Sequence, residues 1–232
     1  MSNEWVMDDL FALVRSPERH VEVIDRDTAR LFIERIHYSR LLPSNVVYQF
    51  GLYDNKELVG VVSYGIPASP SLCIGLAGKE NKDRVLELNR LAIEPTYTRK
   101  NSASFLVSHS LKMLPNYTFV VSYADTGWTH VGYVYQASNF LYTGMSAKRT
   151  DTYSNGKHSR CYQKGSGETR HQTRNPKHRY VYLVGNKKEK KQMLAQLRYP
   201  TMPYPKGDEV RYDTENPQIS IPIEIIGERS NV

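Results

Sequence analysis

Apolar residues recur along the 232-residue chain first with helical and then with strand spacing. After an N-terminal arm, Leu31, Phe32, Ile33 and Ile36 mark one face of a helix. Asp27 is its predicted N-cap, and the helix closes near Ile36-His37-Tyr38. VVYQFGLY (46–53) and ELVGVVSYG (57–65) read as strands joined across Asp54-Asn55-Lys56, a hairpin signal. LELNRLAI (86–93) alternates as a strand should and is ended by Pro95. Residues 102–114 have helical spacing, with Ser102 as cap and Pro115 as stop. TFVVSYAD (118–125) is a continuous apolar run of the kind buried on both faces of a sheet. A helix over about 130–140, a short strand LYTGMS (141–146) and a late strand YVYLVG (180–185) follow. Five of the twelve prolines fall at 200, 203, 205, 217 and 222, so 198–232 reads as an extended tail, with ISIPIEII as an edge strand.

This order predicts an α/β fold: a mixed β-sheet sandwiched by helices, with a basic β-hairpin or loop insertion and an extended Pro-rich C-terminal tail. A single domain is expected, with 1–147 as core, 148–191 as basic block and 198–232 as tail. The strand-helix-strand order over 86–140 forms βαβ units. Their right-handed crossovers put strand C-terminal ends and helix N-termini on one rim, where open α/β sheets bind ligands.

Charge changes the picture. The chain carries a net +7, but 148–191 holds 13 Lys and Arg against three acids, a net +10, and leaves the remainder at −3. Within that block Arg, Lys and His alternate with Tyr153, Tyr162, Tyr180 and Tyr182. Cations at this density suit phosphate contact, and the rings suit base stacking. The candidate nucleic-acid-contacting residues are Arg149, Lys157, His158, Arg160, Arg170, Arg174, Lys177, His178 and Arg179. A solvated charged hairpin is the competing reading.

Several chemistries are excluded. No GxxxxGK[ST] or GxGxxG string follows a strand, neither the paired-proline motif of amino-methyltransferases nor the HxE…PCxxC pattern of zinc deaminases occurs, and Cys73 and Cys161 lie too far apart for a zinc knuckle. The acidic N-terminus MSNEWVMDDLF is unlike a signal peptide, and no apolar run is long enough to span a bilayer, so a cytoplasmic protein without membrane association is expected.

Two places could carry a reaction. Ser122-Tyr123-Ala124-Asp125-Thr126-Gly127 runs off the apolar strand, and a carboxylate there is placed either for catalysis or for capping the next helix. His130 is either a base or a surface residue. Tyr135, on the following helix, is either packing or a proton donor to a leaving group. Ser108, His109 and Ser110 lie on the preceding helix, where adjacent positions do not face one another.

The strand-to-helix step at 86–114 and the segment YVYQASNFLYTG resemble the GNAT acyltransferase fold, with Arg99, Lys100, Asn101 and Ser102 standing where that fold's glycine-rich pyrophosphate loop would bind an acyl-CoA-like donor. A more extensive resemblance runs through IHYSRLLPS (36–44), LNRLAI (88–93), YADTGWTHVGYVYQASNFLYTG (123–144), RTDTY (149–153), GKHSR (156–160) and KHRYVYLVG (177–185). Together these are similar to the phage Mom family of DNA adenine-modification proteins. The resemblance implies a transferase adding a carbamoylmethyl group to the exocyclic amine of adenine in duplex DNA, which protects phage DNA from host restriction. It places His37, Tyr38, Ser110, Asp125 and Tyr135 at functional positions, and implies iron held by His37, Tyr38 and Asp125. The partner it implies is double-stranded DNA with a flipped adenine; a homodimer stays open. A GNAT-like N-acyltransferase on a small amine or RNA-linked substrate, and a non-enzymatic DNA-binding protein, are the alternatives. Plain acyl transfer leaves an amide on the amine, not a methylene link, so an acyl donor alone does not give the implied product.

Overall fold

The computed structural model describes residues 19–126, 130–147, 149–154, 157–158 and 169–207. Among them, ten strands alternate with five α-helices. In chain order they are β1 (Arg19–Val23), α1 (Arg26–Ile36), β2 (Val46–Asp54), β3 (Glu57–Gly65), α2 (Pro70–Ala77), β4 (Val85–Ile93), α3 (Ser102–Met113), β5 (Thr118–Asp125) and α4 (Tyr133–Ala137). After these come β6 (Leu141–Met145), β7 (Arg149–Ser154), β8 (Lys157–His158), β9 (Thr169–Arg174), β10 (Lys177–Val184) and α5 (Lys187–Gln196). The strands form a seven-stranded mixed sheet in the order β1-β2-β3-β4-β5-β10-β6 and a separate three-stranded sheet in the order β8-β7-β9. The expected α/β class, with a basic hairpin beside a mixed sheet, is what the chain adopts. The tail beyond 207, with its ISIPIEII run, lies outside the described residues.

The chain divides into two compact units. Among the described residues the first holds 19–66 and 88–114. Its antiparallel β1-β2-β3 pairing is backed by α1, whose Ala29, Phe32 and Ile33 are buried with Ile24, Leu42, Val61 and Ala92. The cap of α1 is Asp25, not Asp27: its carboxylate accepts from the Thr28 N–H at 2.9 Å and the Thr28 hydroxyl at 2.6 Å. Asp27 sits in the first turn, where its charge complements the helix dipole. Helix α3 starts as expected at Ser102, but Asn101, left-handed at φ 60°, is the cap residue, and the Ser102 hydroxyl turns back to donate to Arg99 O at 2.5 Å.

The second unit holds 67–87 and 115–207. β4 and β5 pair in parallel from Val85↔Phe119 to Glu87↔Val121, and β10 lies antiparallel between β5 and β6. One face of β5 and β10 presents Phe119, Val121, Val181 and Leu183, packed with Cys73 and Leu76 of α2 and Met193 of α5. Burying a side chain such as Phe119 or Met193 stabilises the fold by roughly 1.5–3 kcal/mol. Helix α5 buries only that methionine. It is held at its start by a capping box in which Asn186 accepts from Lys188 and Glu189 N–H groups and Glu189 accepts from Asn186 N–H. The expected helix over 130–140 shrinks to Tyr133–Ala137, because Gly132 at φ 82° and Asn139 at φ 60° bracket it. A Cβ at Gly132 would lie 2.6 Å from the Tyr180 ring, so close approach as well as backbone conformation requires glycine there.

Candidate functional site

In the second unit the deciding geometry is at the C-terminal end of β5. Asp125 lies directly opposite Lys177 in the β5–β10 ladder, and Lys177 Nζ is 2.7 Å from Asp125 Oδ2. Both side chains are partly exposed, 27% for Asp125 and 30% for Lys177, so the pair opens to solvent. Beside it, Thr126 donates to Pro176 O at 2.6 Å, and Asp125 O accepts from His130 N–H at 3.2 Å, which fixes the strand's exit.

Tyr135, which the motif reading sets at one site with Asp125, packs elsewhere. Its ring lies 5.3 Å from that of Tyr180 and 5.4 Å from that of Phe140. Tyr180 pairs with Ser122, so strand alternation sets it on the face opposite Tyr123, Asp125 and Lys177. The structure therefore does not gather Asp125 and Tyr135 on one face of the sheet. Sequence order puts both near one rim but is blind to α4 folding over the other side. Gln136, which carries no sequence signal, anchors α4: its amide donates to Val131 O, Tyr180 Oη and Pro205 O at 3.1–3.3 Å. Tyr142 and His178 share a hydrogen bond of 2.9 Å on this same face, and burial pushes the Tyr142 phenol up.

Arg179 corrects the basic set. It is buried, its Nε donates to Thr143 Oγ1 at 3.0 Å, its NH2 donates to Thr143 O at 2.8 Å, and the guanidinium lies 3.4 Å from the Tyr199 ring centroid. A guanidinium so enclosed is a structural brace and not a phosphate contact. The inward register of β10 decides this, and a charge count cannot reveal it. Of the other basic candidates, Arg149, Lys157, His158, Arg170 and Arg174 fall on β7, β8 and β9. Register sets Arg149 opposite Arg174, and Tyr153 opposite both Arg170 and His158. Arg160 lies outside the described residues.

In the first unit His37 caps α1 at its C-terminal end, its N–H donating to Ile33 O at 2.9 Å. Its Nδ1 accepts the Ser39 N–H at 3.1 Å, which puts the proton of the neutral ring on Nε2. Burial, and secondarily the positive Arg90, lower its pKa to about 4. Tyr38 beside it is exposed and tilted against the His37 ring at 4.3 Å. The loop carrying them is tied down by Arg90 of LNRLAI, whose Nε donates to Leu41 O at 2.8 Å, a link between two sequence motifs that only the fold discloses.

Ser110 is fully buried. It donates to Val107 O at 3.0 Å, so its 2.6 Å contact with Tyr64 Oη is one in which the phenol donates. A hydroxyl so buried and committed is not presented to a substrate. Arg99 pairs with Asp54 at 3.4 Å, and the same carboxylate oxygen accepts from Tyr97 at 2.5 Å. Arg19 stacks over Phe105 at 3.7 Å beside Lys100 and Ser102. The N-terminus of α3 has no side-chain cap.

Iron does not fit the residues named for it. A metal at Nε2 of His37 would need the proton moved to Nδ1, which would break the Ser39 contact. The Asp125 carboxylate already holds Lys177. Among the described residues no three of His, Cys, Asp and Glu come together as a metal would require, and no helix is long and apolar enough to cross a membrane.

Residues 18–206 match the Mom protein family. The chain belongs to that family. Methylcarbamoylase mom of Escherichia phage Mu is 34% identical over 133 residues, which is 56% of this chain and 55% of that protein, so the match spans about half of its curated relative. Among solved structures, the ribosomal-protein-S18-alanine N-acetyltransferase of Escherichia coli is 13% identical, with 73% of this chain and 96% of that chain covered and a TM-score of 0.44. Arabidopsis thaliana NAA60 in complex with acetyl-CoA is 15% identical, with 72% and 99% covered and a TM-score of 0.43. In this Mom family member Tyr123–Asp125 of the YADTGW motif close β5, IHYSR begins on the last residue of α1 and runs into the following turn, and LNRLAI forms the C-terminal part of β4.

Proposed function

We propose that the protein is a transferase that modifies adenine in duplex DNA, attaching a carbamoylmethyl group through its methylene to the exocyclic amine. The observation that carries the reading is the solvent-open Asp125–Lys177 pair at the end of β5, whose carboxylate is the acid of the YADTGW motif. Adenine's amine is a weak nucleophile because its lone pair is delocalised into the ring. Forming the N–C bond therefore needs an acceptor for the amine proton as the leaving group departs from the methylene. Asp125 is that acceptor, and Lys177 orients its carboxylate. In the first unit, neutral His37, carrying its proton on Nε2, can donate a hydrogen bond and is not a base.

The basic three-stranded sheet supports DNA as the substrate. Arg149, Lys157, His158, Arg170 and Arg174 are all carried on β7, β8 and β9, and cations at this density suit a phosphodiester backbone. Within the first unit, the helix N–H groups at the start of α3 and the neighbouring Arg19, Arg99 and Lys100 suit the pyrophosphate of a CoA-type donor; its leaving group must sit on the methylene carbon, because an acyl thioester would give an amide.

The test is mass spectrometry of nucleosides from plasmid DNA of cells expressing the protein. A deoxyadenosine heavier by a carbamoylmethyl group, absent with Asp125→Asn, is the expected result. Unmodified DNA would overturn the reading, and a different mass increment would name another transferred group.

A further inference from the structure

The loop between α1 and β2 presents a large apolar side chain to solvent and holds its own backbone rigid while doing so. Leu41 and Leu42 are adjacent, yet Leu42 is 6% exposed and Leu41 is 59% exposed. The core needs the second leucine and makes no use of the first.

The backbone around Leu41 is pinned from several sides. Arg40, left-handed at φ 43°, donates its N–H to His37 O at 2.8 Å and closes a tight turn. Arg90 binds the Leu41 carbonyl at 2.8 Å, and Arg26 binds the Pro43 carbonyl at 3.0 Å. Tyr38, at the start of the same turn, is 63% exposed. From residue 35 to residue 53 there is no acid, and Arg40 is exposed between Tyr38 and Leu41. An exposed leucine on a mobile loop would turn inward or be of no consequence. One fixed outward by two guanidinium clamps, beside a cation and in a stretch without carboxylates, suits insertion into something apolar that is bordered by negative charge. The stacked bases of a duplex, flanked by phosphates, have that composition.

We propose that Leu41 is a wedge that enters the base stack where the target adenine leaves it. This rests on the reading of the protein as a duplex-DNA adenine transferase. The amine to be modified is held in a stacked pair, and taking it out costs a few kcal/mol, least when the base is already single-stranded. An aliphatic side chain in the vacated step restores part of the stacking surface, as apolar wedges of other DNA-bending proteins do. Leu41 is four residues from His37, so the wedge and that candidate site residue are carried on one loop.

The experiment compares wild type, Leu41→Ala, Leu41→Met and Leu194→Ala, each in lysate of cells in which wild type has been shown to modify plasmid DNA so that the donor is supplied, on one DNA sequence added as duplex and as single strand, with modified nucleoside quantified by mass spectrometry. Leu194 is an exposed leucine of α5 and controls for removal of any surface leucine. Leu41→Ala should lose about tenfold on the duplex, a fraction of the unstacking cost, and keep its single-strand rate. Leu41→Met and Leu194→Ala should match wild type on both. Equal activity of Leu41→Ala and wild type on the duplex would overturn the wedge, as would an equal loss on both substrates. A change of oligomeric state in Leu41→Ala, read by analytical ultracentrifugation, would overturn it in favour of a second copy of the chain on this surface. If wild type modifies neither substrate, the adenine-transferase reading fails and the wedge falls with it, a result distinct from all the others.

Discussion

The ammonium of Lys177 sits 2.7 Å from the carboxylate of Asp125 across a single register position of the β5–β10 ladder. A pair this open to water contributes about 0–1 kcal/mol to stability, so its value lies in orientation. Asp125→Asn should leave the melting temperature nearly unchanged and reduce DNA modification by about 10²-fold or more, the usual worth of a proton acceptor. Lys177→Met should keep more activity than Asp125→Asn. Thermal unfolding together with nucleoside mass spectrometry checks both, and full activity of Asp125→Asn would remove it from the reaction.

His37 makes stability depend on pH. Its folded pKa, near 4, lies below the ordinary 6.5, so between these values the unfolded chain binds a proton that the folded chain refuses. Stability from this residue is therefore complete above about pH 6.5 and declines as the pH falls toward 4, at a rate of no more than ~1.4 kcal/mol per pH unit. Asn at position 37 retains an acceptor for the Ser39 N–H without titrating. His37→Asn should flatten the fall in melting temperature from pH 6.5 to 4.5, and an unchanged slope would show that another group is responsible.

The Tyr64–Ser110 contact predicts a coupled pair. Ser110→Ala leaves the buried Tyr64 phenol without this acceptor and should cost about 1–3 kcal/mol. Adding Tyr64→Phe should recover part of that loss in urea unfolding. If the contribution of Ser110 to the reaction passes through Tyr64, Tyr64→Phe alone will lower activity as much as Ser110→Ala. Normal activity of Tyr64→Phe with an inactive Ser110→Ala would instead assign Ser110 a direct role.

Arg179 and the basic sheet should separate in DNA-binding assays. Arg179→Met removes a brace that holds Thr143 and Tyr199 and should destabilise by about 1–3 kcal/mol with no change in the salt dependence of DNA affinity. Combined replacement of Lys157, Arg160 and Arg174 by Ala should reduce the slope of log affinity against log salt by about 2–3, near 0.9 for each phosphate no longer neutralised. The reverse pattern would move the DNA-binding surface from the three-stranded sheet to β10.

Periodicity alone determined most strands and the first and third helices, because each shows one apolar face or a doubly buried run, and these are local patterns. It passed over β1, α2 and α5, whose sequences RHVEV, PSLCIGLA and KKEKKQMLAQ lack a long apolar stripe and are held by strand pairing, packing or a cap. The charge block and the motifs named the candidate residues. Which of them could act together was decided only by tertiary structure, because a strand's alternation and a helix's docking side fix direction, which residue identity does not carry. Thus Lys177, read as a phosphate contact, faces Asp125; Tyr135 joins the aromatic cluster on the other face; Arg179 turns inward; and Arg90, silent in the sequence, holds the loop of His37 and Leu41 in place.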